Sequence, residues 1–155
     1  MVKTTETRRG GAVLALAVYS DNRAVRDQVA TALGNTLADD LPPVAITQFA
    51  TPAALIAALD ESVFDCVILD GEAAPLGGMG VSYQIKDEFD NPPPTVLLVA
   101  RQADGWMATW SRADGVAPMP VDPLTLPVVV ADVIRADQAG TLDDTILVPG
   151  AASRH

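Results

Sequence analysis

The stretch DCVILDGEAAPLGGMG, residues 65–80, contains a short apolar run that ends in Asp70 and continues into a segment rich in glycine. An apolar run of this length, bounded by turn residues, is typical of a strand that is buried on both faces of a sheet. The carboxyl end of a parallel strand lies at the edge of the sheet where ligands usually bind. Asp70 is therefore a candidate phosphoacceptor, a candidate metal ligand, or only the residue that ends the strand.

Strand-length apolar runs alternate with segments of helical periodicity on both sides of this stretch. The predicted strands are 12–18, 44–49, 64–70, 95–100 and 115–118. The predicted helices are 23–33, which SDN (residues 20–22) caps, a helix that Thr51 and Pro52 open, 81–89, 106–113 and 123–136. A repeated strand–helix unit with almost wholly apolar central strands predicts a doubly wound α/β fold, in which helices cover both faces of a parallel sheet.

The length of 155 residues favours a single domain with a core of its own. We expect residues 1–11 to form a flexible N-terminal arm, residues 12–137 to form the domain, and residues 138–155 to form a C-terminal tail. The tail carries one apolar patch, TILVPG, which is a candidate docking segment.

The composition argues against several classes of function. A net charge of −10 argues against nucleic acid as a partner. No apolar run approaches the roughly 20 residues that span a bilayer. Cys66 is the only cysteine, which fits a cytoplasmic protein, and its place in a strand predicts a buried, inert thiol. His155 is the only histidine, so a zinc site or a histidine-based hydrolase site is not expected.

The glycines of GGMG, residues 77–80, suggest a phosphate-binding loop, but neither a lysine nor a serine or threonine follows at the required spacing. We interpret these glycines as those of a tight loop after the strand. A flavin site is not expected either, since no loop rich in serine and threonine follows the first predicted strand.

Four segments lie at the carboxyl ends of predicted strands: YSDNRAVR, VILDGE, VLLVAR and VAPMP. In these segments and their order, the chain resembles the receiver domain of bacterial two-component response regulators, over about residues 12–136. The resemblance implies a (βα)5 flavodoxin-like fold, with a five-stranded parallel sheet in the order 2-1-3-4-5. It also implies that Asp70 matches the phosphoacceptor and Asp21 the second member of an acidic pair.

The sequence departs from the receiver pattern at four positions. Ser20 replaces the first acidic residue, Ala100 the hydroxyl residue, Met119 the lysine, and Val116 the aromatic residue of the fifth strand. A phosphoryl group on Asp70 would lack the lysine contact, a charge-assisted hydrogen bond worth about 1.5–3 kcal/mol. We therefore expect a pseudo-receiver that works through its surfaces, and no enzyme activity.

The resemblance leaves room for weak Mg²⁺ binding by Asp21, Asp70 and the backbone carbonyl of Glu72, and implies no other cofactor. The alternative to a pseudo-receiver is a single-domain response regulator that a histidine kinase phosphorylates at Asp70.

Trp106 and Trp110 lie one turn apart on a predicted helix, and tryptophan is enriched at binding hot spots. With Ile146, Leu147 and Val148 of the tail patch, they are the candidate partner contacts. No output domain follows the last predicted helix, so we expect the receiver-like domain to stand alone.

The segments YSDNRAVRDQV, LDGEAAPLGGMG, QIKDEFDNPPP and TWSRADGVAPMPVDP are similar to a group of stand-alone receiver-like proteins of high-GC bacteria. That resemblance implies an accessory or regulatory protein of respiratory NADH dehydrogenase (complex I). Such a protein would dock on the soluble arm of the complex, at the cytoplasmic face of the plasma membrane, and would not insert into the membrane.

Overall fold

The order of the strands determines which loops meet at each edge of the sheet. The computed structural model describes residues 13–73, 77–100 and 112–141. The strands are β1 (Leu14–Tyr19), β2 (Val44–Phe49), β3 (Cys66–Asp70), β4 (Thr95–Val99) and β5 (Gly115–Pro118). They form one five-stranded sheet in the order β2-β1-β3-β4-β5, and every neighbouring pair is parallel. The predicted doubly wound sheet and its strand order are confirmed.

Two of the helices begin at side-chain caps that the sequence predicts. The helices described are α1 (Arg23–Leu33), α2 (Pro52–Glu61), α3 (Gly77–Glu88) and α4 (Leu126–Ala139). The side chain of Asn22 accepts a hydrogen bond of 2.9 Å from the backbone N–H of Ala24, and Thr51 accepts one of 3.1 Å from Ala54. Each cap satisfies an N–H group that has no acceptor within the helix.

Apolar clusters cover both faces of the sheet. Successive side chains of a strand point to opposite faces, so a wholly buried strand such as β3 contributes to both clusters. Ile68 packs in the cluster with α1 and α4, whereas Leu69 packs in the cluster with α2 and α3. Cys66 is a buried free thiol in the first cluster, and burial raises the pKa of that thiol, as expected for an inert cysteine.

Helix α3 begins at Gly77 rather than at residue 81, so the prediction of a tight loop over residues 77–80 is wrong. Gly77 adopts a φ of 77°, which allows the chain to turn into the helix. A Cβ atom on Gly78 would lie 2.5 Å from the backbone oxygen of Asp70, so only glycine lets α3 pack this closely against the end of β3. Tertiary packing therefore outweighs the poor helix propensity of glycine.

Other boundaries differ because side chains near the strand and helix ends make their own hydrogen bonds. The first strand begins at Leu14 rather than at residue 12, and the third begins at Cys66 rather than at residue 64. Asp65 precedes β3, and its carboxylate accepts a hydrogen bond of 2.8 Å from the backbone N–H of Ala15. Asp122 precedes α4, which starts at residue 126 rather than at residue 123, and its carboxylate accepts hydrogen bonds from the backbone N–H of Leu124 and from the hydroxyl of Thr125.

Most of the predicted helix over residues 106–113 lies outside the described residues. Its last two residues are described, and neither Arg112 nor Ala113 is helical.

A buried ion pair connects α3 to the start of β5, at the amino edge of the sheet. The Lys86 ammonium donates to Oδ2 of Asp114 at 2.6 Å and to the backbone oxygen of Pro93 at 3.1 Å. The same Asp114 oxygen accepts a hydrogen bond of 2.9 Å from the backbone N–H of Thr95, the first residue of β4. The sequence gives no sign of this network, which ties the end of α3 to the starts of β4 and β5.

Candidate functional site

Asp70 lies at the carboxyl edge of the sheet, beside the end of β1. Tyr19 is paired with Leu69 in the register of β1 and β3, so the next residues, Ser20 and Asp70, are neighbours. Both are buried, with exposed fractions of 0% and 3%. The structure thus brings the predicted acceptor position and the altered member of the acidic pair together.

Both oxygens of the Asp70 carboxylate accept hydrogen bonds from the chain itself. The Ser20 hydroxyl donates to Oδ2 at 2.7 Å, and the backbone N–H of Glu72 donates to Oδ1 at 2.8 Å. The Ser20 hydroxyl also accepts a hydrogen bond of 3.0 Å from the backbone N–H of Asn22. An amide N–H can only donate, so the hydroxyl proton is directed at Asp70.

The other two residues of the predicted magnesium site, Asp21 and Glu72, have exposed side chains. Glu72 contributes its backbone N–H to Asp70. Within residues 13–73, 77–100 and 112–141, no group of three or more acidic, histidine or cysteine side chains is close enough together to hold a metal ion.

Tyr19 adds a buried phenol to this edge of the sheet. Its side chain is 0% exposed, and in the described part of the chain its hydroxyl has no hydrogen-bond partner. Burial raises the pKa of Tyr19, and the negative charges of Asp21 and Asp70 raise it further. The phenol therefore stays neutral, and Asp21 and Asp70 lie close enough for their charges to act on it.

The positions that depart from the receiver pattern lie where the sequence predicts. Ala100 follows β4 and is exposed, so no hydroxyl is present there. Met119 follows β5, donates its backbone N–H to Val99 at 2.9 Å and packs partly buried against the apolar cluster beside α4. Val116 is 9% exposed and belongs to the cluster on the opposite face.

Arg26 is a cation at this edge that the sequence reasoning missed. Its Nη1 donates to the backbone oxygen of Ser20 at 2.7 Å, and its Nε donates to the Gln48 side chain at 3.2 Å. Its position one turn after the cap residue Asn22 is the only sequence signal for this contact. Arg26 therefore fixes the backbone on which the Ser20 hydroxyl is carried.

The predicted partner contacts Trp106, Trp110, Ile146, Leu147 and Val148 lie outside the described residues. In the described part of the chain, no helix is long and apolar enough to cross a membrane.

A parallel sheet in the order 2-1-3-4-5 with an aspartate at the carboxyl end of β3 defines a receiver-like α/β domain. No family model matches the chain. A response regulatory protein of Mycobacterium tuberculosis, found in strains CDC 1551 and H37Rv, is 45% identical over 123 residues, which cover 79% of this chain and 92% of that protein. The chain belongs to the receiver (CheY-like) domain family of response regulators.

Solved structures agree with this assignment at the level of the fold. A CheY-like receiver domain of Methanospirillum hungatei has a TM-score of 0.64 and 15% identity, and the match covers 83% of this chain and 98% of that one. The receiver domain of Saccharomyces cerevisiae Ssk1, solved together with the histidine phosphotransfer protein Ypd1, has a TM-score of 0.68 and 16% identity, with 86% and 97% covered.

Proposed function

We propose that this chain is a receiver that acts as a protein-binding module without a phosphate switch. The observation that carries the proposal is the residue after β5, Met119, whose uncharged thioether packs against the apolar cluster beside α4. A phosphoryl group on Asp70 would bring negative charge to a buried position, and charge-assisted contacts are what stabilise such a group. Without differential contacts between the modified and unmodified states, phosphorylation has no means of shifting the conformation.

The partner we propose is the soluble arm of respiratory complex I, which the chain would serve as an accessory or regulatory subunit. The support is the sequence similarity of the segments LDGEAAPLGGMG and TWSRADGVAPMPVDP to receiver-like proteins linked with that complex. The exposed surfaces of the domain, rather than the edge around Asp70, would make the contact.

Affinity purification from gently solubilised membranes tests this partner. A tagged chain should recover NADH dehydrogenase subunits, whereas recovery of a histidine kinase alone, or of no protein, would contradict the proposal. Asp70→Asn should bind as the wild type does, because Asp70 is buried and the amide keeps the size of the side chain and an oxygen that accepts from Glu72, so that only the hydrogen bond from Ser20 is lost.

Two further variants should weaken the binding: Trp110→Ala and a chain that ends after Thr141. The truncation keeps Thr141 because its backbone N–H donates to Ala136 and closes the end of α4, so helix stability is preserved. Equal losses from Asp70→Asn and from these two variants would mean that the Asp70 edge itself binds the partner. Thermal unfolding of each variant controls for misfolding.

The second candidate is a response regulator phosphorylated at Asp70 by a histidine kinase. It is favoured by the place of Asp70 at the end of β3 and by the fold likeness to the Ssk1 receiver that was crystallised with a phosphotransfer protein. Incubation with Mg²⁺ and a small phosphodonor, read by intact mass, separates the candidates. Stable addition of one phosphoryl group that Asp70→Ala abolishes would support the second candidate and contradict the first.

A further inference from the structure

Ser20 is held by hydrogen bonds at each of its polar groups. Its backbone N–H donates to Phe49 at 3.2 Å, and its backbone oxygen accepts from Arg26 at 2.7 Å. Its hydroxyl accepts from the N–H of Asn22 and donates to Asp70. The hydroxyl therefore has one orientation, and its proton occupies the Oδ2 side of the Asp70 carboxylate.

The fold family implies a Mg²⁺ ion at this edge, and the donor set does not fit one. Mg²⁺ requires oxygen ligands in near-octahedral geometry, usually carboxylates that carry negative charge. Here the neighbour of Asp70 is a neutral hydroxyl that presents a proton, and the other carboxylate oxygen accepts from the N–H of Glu72. A cation approaching Asp70 would have to break a buried hydrogen bond of 2.7 Å without gaining a second charged ligand from Ser20.

We infer that Ser20 and Asp70 together do not hold a divalent cation, and that Ser20 is a positioning residue that makes this carboxylate a structural link between the β1–α1 and β3–α3 loops. The inference rests on the phosphate-independent part of the proposed function and not on the identity of the partner. It assigns Asp70 a role in holding two loops together, in place of a role as a reactive group.

A carboxylate at position 20 should allow a divalent cation to bind beside Asp70. In Ser20→Asp the donor is lost, and a second carboxylate is placed beside Asp70. Their repulsion destabilises the folded chain, and a divalent cation between them relieves it. Ser20→Ala removes the donor without adding charge, and is the matched control.

The experiment is thermal unfolding of the full chain, with and without 10 mM Mg²⁺; a ligand at about ten times its Kd stabilises the folded state by about 1.4 kcal/mol. We expect the wild type and Ser20→Ala to show no shift with Mg²⁺. Ser20→Asp should unfold at a lower temperature without Mg²⁺, and recover by about 3–6 °C with it. A Ser20→Asp chain that folds and does not respond to Mg²⁺ would overturn the inference.

A second measurement needs no variant at position 20. Calorimetric titration of the wild type with Mg²⁺ should give no saturable heat. A saturable heat that Asp70→Asn abolishes would overturn the inference, whether or not Ser20→Asp folds. Neither result bears on membrane co-purification, so failure of this inference and failure of the proposed partner remain distinguishable.

Discussion

Lys86→Met should destabilise the fold far more than the loss of an exposed ion pair of the same length. The nitrogen of Lys86 lies 2.6 Å from Oδ2 of Asp114, and these side chains are 12% and 11% exposed. Nη2 of Arg135 also lies 2.6 Å from an oxygen of Asp40, but those side chains are 40% and 62% exposed. Arg135→Met is therefore a control that matches the distance and differs in burial.

The expected loss of stability follows from the unpaired charge that Lys86→Met leaves on Asp114. Methionine fills most of the volume of the lysine stem, so the main loss is the charge that faces Asp114. Breaking a buried pair by removing one partner costs about 3–5 kcal/mol, because the other charge stays buried. The Thr95 N–H still donates to Asp114, and the site keeps some solvent access, so we expect about 3 kcal/mol.

A double-mutant cycle separates the ion pair from other effects of the substitution. Lys86→Met with Asp114→Asn removes both charges, so the double variant should cost less than the two single variants together. We expect a coupling of about 2 kcal/mol, within the range for residues in one hydrogen-bonded network.

The assay is urea unfolding followed by far-UV circular dichroism, at low salt and at 1 M salt (a Debye length of about 3 Å). The cost of Lys86→Met should change little with salt, whereas that of Arg135→Met should fall. The reasoning would be refuted if the cost of the double variant equalled the sum of the costs of Lys86→Met and Asp114→Asn to within about 0.5 kcal/mol. Equal costs for Lys86→Met and Arg135→Met would refute it as well.

Three further predictions concern the pH dependence and the local packing. The hydrogen bond from Arg135 lowers the pKa of Asp40, so the pair stabilises the fold above the ordinary aspartate pKa of about 4, and this contribution is lost as the pH falls further. The difference in Tm between wild type and Arg135→Gln should therefore shrink as the pH falls below about 4; a constant difference would contradict this. Asn22→Ala should cost about 1 kcal/mol in urea unfolding because α1 loses its side-chain cap, while Asn22→Asp should keep most of the stability. Gly78→Ala should cost about 2 kcal/mol, because the new Cβ would clash with the backbone of Asp70. Helix propensity alone predicts that Gly78→Ala raises the free energy of unfolding by about 1 kcal/mol. A rise in the same assay would therefore show that α3 does not pack this closely against Asp70.

The sequence predicted the sheet and the first two helices well because their signals are local. The apolar strands are bounded by turn residues, and Asn22 and Thr51 are side-chain caps that act within a few residues of their position. The start of α3 could not be predicted in the same way. Glycine is a poor helix former, and Gly77 is required by its positive φ and Gly78 by a contact with the end of β3, both of which exist only in the folded chain.

The candidate site, too, combines features that the sequence predicts with features that exist only in the folded chain. The resemblance to receivers placed Ser20 beside Asp70, but the direction of the hydrogen bond between them depends on the amide of Asn22, which only the folded loop supplies. Residues 20 and 70 are 50 positions apart in the chain, and Arg135 and Asp40 are 95 apart. Periodicity carries no information about such pairings, so the ion pairs and the Arg26 contact were found only in the structure.

The two edges of the sheet differ in a way that bears on the proposed function. At the amino edge, a buried ion pair joins α3 to the start of β5. At the carboxyl edge, a neutral hydroxyl donates to a buried carboxylate, and the place of the receiver lysine holds a methionine packed against the core. A ligand shifts a conformational equilibrium only to the extent that it binds one state better than the other. Because Ser20 and Asp70 already satisfy each other and the N–H groups of Asn22 and Glu72, phosphate or metal has little to gain there in a second state, so on the proposed function a partner would recognise the surface of one conformation.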